Sequence, residues 1–122
     1  MNYIYPAFGT TLNLEPYIRH IKADYAKWKK KTDGKLSTIS KDMIKDFNEN
    51  IRIVEGRNCL RIETSTSIHS FVVLRVTSAM AKCRDIEVGS ILKAANWKAP
   101  TLNFARGHLD DAEYSQVRWT GI

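Results

Sequence analysis

The stretch that decides the fold is residues 51–76, IRIVEGRNCLRIETSTSIHSFVVLRV. Apolar side chains alternate with charged ones along Ile51–Glu55 and again along Leu60–Thr64, which is the pattern of strands with one solvated face. Between these two runs, Gly56–Asn58 has the composition of a turn. A more continuous apolar run, Ile68–Val76, follows as a third strand. The sequence therefore predicts an antiparallel hairpin extended by a neighbouring strand.

Downstream of this stretch the pattern becomes less regular. Thr77–Asp85 is polar and predicts an irregular connection. Ile91 and Leu92 predict a fourth strand that ends near Ala94, and Val117–Trp119 predicts a last short one. The intervening segment is rich in proline, glycine and aromatic residues, so we expect an ordered loop there rather than a helix.

Upstream, the apolar period lengthens to that of helices. A first helix is expected to begin near Asn13–Pro16, with Asn13 as its cap, and to end at Asp33-Gly34. A second is expected over Ser40–Asn48, with Ser40 as its N-cap. The first helix should face the core with an apolar stripe, and the second with its own apolar side. The two stripes consist of Leu14, Tyr17, Ile18, Ile21, Tyr25 and Trp28, and of Ile39, Met43, Ile44 and Phe47.

The order of elements is typical of the α+β class. We expect two N-terminal helices packed on a four- or five-stranded, mostly antiparallel sheet, in a single domain over residues 1–122. Within it, residues 1–13 form an extended arm or edge strand around Tyr3, Ile4 and Tyr5. Residues 14–48 form the helical part, and residues 51–122 the sheet part with the ordered C-terminal loop.

Length and composition narrow the class of protein. The chain has 122 residues, of which 43% are apolar and 26% charged, with a net charge of +6. It is too short for two ordinary domains and too apolar and aromatic to be disordered. We expect neither a signal peptide nor a membrane segment, since no apolar run approaches the required length. Cys59 and Cys83 are expected to remain thiols.

The positive charge is concentrated in two places. The segment Arg19–Lys41 carries eight basic residues against Asp24 and Asp33, so its local excess of six equals the net charge of the whole chain. A second segment mixes cations and aromatic rings, namely Lys93, Trp97, Lys98, Phe104, Arg106, Arg118 and Trp119. Cations beside aromatic faces suit single-stranded nucleic acid, which needs phosphate pairing and base stacking. Two other interpretations compete with this one. The first segment could be a solvated helix face, and the aromatic residues of the second could have the structural role of covering the sheet.

These patterns favour non-enzymatic binding of nucleic acid, with single strands preferred. The residues expected to contact phosphates are Lys27, Lys29, Lys30, Lys31, Lys98 and Arg106, and those expected to stack on bases are Trp97 and Phe104. If the helix end dominates, Lys29→Glu with Lys30→Glu should abolish binding. The same basic surface could instead bind an acidic host protein.

Catalysis has little support in the sequence. Glycine-rich phosphate loops and the Gly-x-Ser-x-Gly motif are absent, and no cofactor is expected. His108, Asp110 and Asp111 are potential metal ligands within four positions, but they also fit a polar turn. A metal-dependent nuclease or hydrolase is therefore the third hypothesis, and the sequence favours a protein that is not an enzyme.

The C-terminal third resembles a group of small uncharacterised proteins of tailed bacteriophages, many of them marine. The likeness rests on residues 89–100, GSILKAANWKAP, and on residues 103–107, NFARG. A looser match lies at residues 69–73, HSFVV, and another at the end, residues 118–122, RWTGI. The proteins of this group often have an acidic residue at the position of Ser90, so the Ser90 side chain is not expected to be essential.

The resemblance implies a phage origin and location in the cytoplasm of an infected bacterial host. It supplies no activity, cofactor or fold. In this setting the second hypothesis, after nucleic-acid binding, is a phage protein that binds and inhibits or redirects a host protein. A minor virion component is the fourth.

Overall fold

The structure, a computed structural model, describes residues 3–7, 10–33, 38–65, 67–83, 85–110, 114 and 117–121. The strands are β1 (Ile4–Ala7), β2 (Thr10–Asn13), β3 (Arg52–Glu55), β4 (Cys59–Glu63), β5 (Ile68–Val73), β6 (Ser90–Leu92) and β7 (Gly107–His108). The helices are α1 (Glu15–Asp33), α2 (Thr38–Glu49) and α3 (Ser78–Ala81). β1 and β2 form a two-stranded sheet, and β3-β4-β5-β6-β7 form a five-stranded one in chain order. All pairings are antiparallel, which confirms the predicted α+β class.

The hairpin predicted from residues 51–64 is present as β3 and β4. Ile53 pairs with Ile62 on one face and Arg52 with Glu63 on the other, as the alternation predicts. Val54 lies opposite Arg61 and Glu55 opposite Leu60, so the separation of apolar and charged residues is incomplete. The Gly56 amide closes the turn by donating to the Cys59 carbonyl at 2.9 Å.

The pairing of β4 with β5 contains an irregularity that the sequence did not indicate. Ile62 is opposite Ser70, but Glu63 is opposite Ile68, which leaves His69 as an extra residue in β5. Such a bulge re-aims side chains locally. Here His69 and Ser70 both reach the hydroxyl of Tyr17 in α1, at 3.4 Å and 2.6 Å respectively.

Each face of the five-stranded sheet carries its own apolar cluster. We call the face with Leu60, Ile62, Val72 and Ile91 the inner face, because these side chains share one buried cluster with α1. We call the opposite one the outer face; its buried side chains are Phe71, Val73, Leu92, Met80 and Ile86, and Ala94 and Ala105 of the C-terminal loop pack against them.

The first helix agrees with its prediction. The Asn13 side chain accepts a hydrogen bond from the Glu15 amide at 3.1 Å, which satisfies one of the unpaired donors of the first turn. Tyr17, Ile18 and Ile21 are buried in the inner cluster. The predicted stripe is too long at its end, because Trp28 is 40% exposed.

The second helix differs from its prediction. α2 begins at Thr38, so Ser40 lies inside the helix and is buried rather than serving as the N-cap. Ile39 and Met43, expected to face the core, are 73% and 44% exposed. Among the described helices and strands, α2 has most of its contacts with α1, and its Phe47 packs against the inner cluster. The predicted packing of both helices on the sheet is therefore not clearly seen.

Several shorter elements were also misplaced. The N-terminal segment, expected as an arm or an edge strand, contains strand β1, but this strand pairs with β2 in a separate hairpin. The third strand ends at Val73 rather than Val76. The connection Thr77–Asp85 contains α3, which Thr77 caps by accepting from the Met80 amide. Val117–Trp119 forms only an isolated bridge, Arg118 to Gly121, while the fifth strand is Gly107–His108, where a loop was expected. No helix in the described ranges has both the length and the apolarity to cross a bilayer.

Candidate nucleic-acid interface

A cleft with basic walls opens on the outer face of the sheet, and we call it the basic cleft. Its volume is about 470 Å³. Three cations line it: Arg57 from the β3–β4 turn and Arg61 from the adjoining β4, together with Lys98 from the C-terminal loop, which is distant in the sequence. Glu55 is the one acid among the described residues that line it. The cleft therefore has an excess of positive charge in a concave site, where charge is focused.

Arg61 is the residue that joins the sheet to the C-terminal loop. It lies opposite Phe71 in the neighbouring strand, so the two side chains share the outer face. Its Nε donates to Glu63 Oε2 at 2.7 Å, and its Nη1 donates to the Trp97 carbonyl at 3.2 Å. The guanidinium is thereby held in a fixed orientation at the cleft, with 32% of its side chain exposed.

The C-terminal loop is ordered, as predicted, and hydrogen bonds between its own residues hold it. The Asn96 side chain accepts from the amides of Lys98 at 2.8 Å and Ala99 at 3.0 Å. The Thr101 amide donates to the Lys93 carbonyl at 2.7 Å, which closes the loop at its base. Trp97 does not anchor the loop on the sheet, because it is 53% exposed. Its ring is instead available at the surface beside Lys98.

The second predicted stacking residue has a different environment. Phe104 is 42% exposed, but the guanidinium carbon of Arg106 lies 4.1 Å from its ring centroid. Asn103 Oδ1 accepts from the Phe104 amide at 2.7 Å and from Arg106 Nη2 at 3.4 Å. Arg106 thus covers one face of the Phe104 ring in a cation–π contact. Trp97 is the better stacking candidate.

The structure separates the two groups of predicted phosphate contacts. Lys27, Lys30 and Lys31 are exposed at the end of α1, and Lys29 lies with its Nζ 5.6 Å from the Trp28 ring centroid. α1 shares the inner cluster, whereas the C-terminal loop packs against the outer one. The helix-end lysines and Lys98 therefore belong to opposite sides of the sheet.

Of the predicted metal ligands near β7, the described ones, His108 and Asp110, do not form part of a metal site. His108 Nε2 lies 2.9 Å from the Val88 carbonyl and its Nδ1 accepts from the Asp110 amide at 3.0 Å, so both ring nitrogens are engaged. The Asp110 side chain is 93% exposed and 3.6 Å from His108. Asp111 lies outside the described residues. Within the described part of the chain, no three His, Cys, Asp or Glu side chains group as metal ligands.

The thiols give no support to covalent catalysis. Cys59 and Cys83 are both free and half-buried. Burial raises the pKa of Cys59 to about 11, so the nucleophilic thiolate is scarce at neutral pH.

Arg57 and Arg61 are the site residues that sequence reasoning missed. The sequence did indicate that both side chains are exposed, because Arg57 falls in the predicted turn and Arg61 on the solvated face of the predicted hairpin. Their local charge is cancelled along the sequence by Glu55 and Glu63, which hid them from a search for charge runs. Their proximity to Lys98 depends on the folded sheet.

Comparisons with protein families, curated proteins and solved structures give no match.

Proposed function

We propose that this protein binds nucleic acid, with single strands preferred, through the basic cleft and Trp97. The observation that carries the proposal is the convergence of Arg57, Arg61 and Lys98 on one cleft, where Arg61 also bonds the carbonyl of Trp97, a residue that is 53% exposed. Arg57 and Lys98 can each neutralise a phosphate, while Arg61, paired with Glu63, holds the loop and the ring of Trp97 stacks on an unpaired base. A duplex keeps its bases stacked on each other, so it would lose the stacking contribution.

The preference for single strands follows from the shape of the site. The described helices do not present a row of basic side chains next to Trp97, as a reader of the major groove would. The cleft is lined instead by a turn, a strand and a loop. Backbone contacts with stacking favour affinity without strong sequence discrimination.

The biological setting remains that of the resemblance: a phage protein acting in the cytoplasm of an infected bacterium. Binding to an acidic host protein at the same cleft is the alternative, since the cleft would attract any polyanion. The two kinds of ligand can be distinguished. Only nucleic-acid binding should depend on stacking by Trp97 and should be weaker for a duplex than for a single strand.

The experiment is fluorescence anisotropy of labelled single-stranded and duplex oligonucleotides, titrated with the protein across a range of salt concentrations. For single strands, the slope of log K against log salt should be about −0.7 per phosphate neutralised. Arg57→Ala with Lys98→Ala should reduce that slope by about 1.4, because two contacts are removed.

Lys41→Ala with Lys45→Ala is the matched control, since it removes the same charge from an exposed part of α2. Equal losses in the two double variants would mean that net charge, rather than the cleft, determines binding. Equal affinity for single and double strands would remove the role proposed for Trp97.

A further inference from the structure

A second concave site, independent of the basic cleft, lies beside the helices. It has a volume of about 670 Å³ and is lined by α1, α2, the β4–β5 turn and the C-terminal segment. Its apolar wall contains Tyr25, Trp28, Phe47 and Trp119, with Ile39 and Met43 on the α2 side. We call it the acidic groove, because the charged residues that line it are Asp42 and Asp46.

The aromatic wall is held in place from three directions. The Asp24 carboxylate of α1 accepts from the Trp119 amide at 2.9 Å. The Trp119 ring then packs against Trp28 at 4.8 Å and edge-on against Tyr25 at 4.9 Å between centroids. Phe47 of α2 stacks on Tyr25 at 4.2 Å. The wall is thus a preformed surface that needs no ordering when a partner binds.

α2 leaves part of its apolar side, Ile39 and Met43, uncovered in this groove. Positions 39, 42, 43 and 46 recur at helical spacing, so Ile39, Asp42, Met43 and Asp46 share one face. Ile39 and Met43 are 73% and 44% exposed. Ser40 is the one buried residue of the helix. Two large apolar side chains at adjacent turns of one helix face mark an interaction surface rather than scattered surface residues.

The charge of the groove selects its occupant. The chain as a whole carries +6, yet the described residues lining this groove include two acids and no base. The lysines of α2, Lys41 and Lys45, project from the opposite side of the helix. Lys29 lies over Trp28 and Lys31 is exposed one turn beyond it, so the negative charge is confined to the α2 side of the groove. On that side a phosphate is disfavoured, and a cation between the two carboxylates is favoured.

We propose that the acidic groove binds a basic amphipathic segment of a partner protein. An apolar side chain of that segment would contact Trp28, Met43 and Trp119, while a Lys or Arg would pair with Asp42 and Asp46. The two carboxylates are one helical turn apart, about 6 Å along the axis, so a segment with two spaced cations fits best. The protein would then hold a nucleic acid and a basic protein on separate surfaces.

The test is selection from a randomised peptide library displayed on yeast, with the whole protein as the soluble target. The expected result is enrichment of peptides that combine a large apolar residue with Lys or Arg. Their binding should fall at least tenfold with Ile39→Lys or Met43→Lys. It should fall about two- to tenfold with Asp42→Asn combined with Asp46→Asn, the range for exposed ion pairs.

Val76→Lys is the matched control, because Val76 is also an exposed apolar residue, at 36%, and lies outside the groove. It should leave peptide binding unchanged, and all variants should keep the circular dichroism spectrum of the parent. Enrichment of acidic peptides, no enrichment above background, or binding that survives Met43→Lys would overturn the proposal.

Two further measurements separate this proposal from other outcomes. A concentration-dependent dimer in sedimentation, lost with Ile39→Lys, would identify the occupant as a second copy of the chain and overturn the proposal. Arg57→Ala with Lys98→Ala should not change peptide binding. Failure of nucleic-acid binding alone therefore leaves the proposal for the groove intact.

Discussion

The basic cleft and the acidic groove are similar in form and opposite in charge. Both are concave, both combine apolar with charged side chains, and the C-terminal part of the chain contributes to each. Arg57, Arg61 and Lys98 line the cleft, whereas Asp42 and Asp46 line the groove. The net charge of +6 thus describes neither site. At physiological salt, charges beyond about 8 Å are screened, so local charge determines what each surface attracts.

The two sites also differ in what holds them. The cleft is built on backbone and side-chain hydrogen bonds, such as Arg61 to the Trp97 carbonyl. The groove is built on ring packing around Trp119. Substitutions can therefore weaken one without the other, and four predictions exploit this difference.

The largest effect is expected from Trp119→Ala. The change removes ring contacts with Tyr25, Trp28 and Phe47 and should lower the free energy of unfolding by roughly 3 kcal/mol. Urea denaturation measures it. The folded protein should still bind single strands with its original affinity, and a parallel loss of nucleic-acid binding would show that the two sites are coupled.

The next effect concerns His69, which links the sheet to the segment that carries Trp119. Its Nε2 donates to the Arg118 carbonyl at 2.6 Å, so its Nδ1 accepts from Ser70, and Ser70 in turn accepts from Tyr17. Burial lowers the pKa of His69 to about 4 from 6.5. Below pH 6.5 the unfolded chain binds a proton that the folded chain resists.

Stability should therefore be complete above pH 6.5 and fall as the pH drops toward 4, by about 2 kcal/mol at pH 5. Urea denaturation at pH 7 and pH 5 measures the loss. His69→Gln should be less stable at pH 7 but should lack this contribution, because Gln does not titrate. Parent and variant with the same pH dependence would contradict the assignment.

A smaller effect is expected from Trp97→Ala. This change tests whether the basic cleft, unlike the acidic groove, binds nucleic acid by base stacking. It should weaken single-strand binding by about 1.5 kcal/mol, in the lower half of the range for base stacking. Unfolding should change little, since the ring is 53% exposed. Phe104→Ala is the comparison: because Arg106 covers one face of that ring, its anisotropy titration should show a smaller loss.

The smallest effect is expected from Lys29→Glu with Lys30→Glu. On sequence grounds this double change should abolish nucleic-acid binding. Since the structure places the helix end and the cleft on opposite sides of the sheet, we expect only a modest loss of long-range attraction, confined to low salt. Abolished binding at physiological salt would return the interface to α1 and remove the cleft from the proposal.

The sequence was most informative where the pattern is local. Alternation over residues 51–64 predicted the β3–β4 hairpin, and helical spacing predicted α1 with its cap at Asn13. It was least informative for elements stabilised by distant partners. β7 has two residues and exists because Gly107 and His108 pair with β6, which no periodicity in so short a segment can indicate.

Candidate sites show the same division. The sequence determined which residues are cationic, acidic or aromatic, and through the period of each element which of them share a face. Tertiary structure alone decided that Arg61 meets the Trp97 loop, that Lys98 and the α1 lysines lie on opposite sides, and that Ile39 and Met43 remain uncovered. The physical reason is that periodicity fixes orientation within one element, whereas proximity between elements depends on how the whole chain buries its apolar surface.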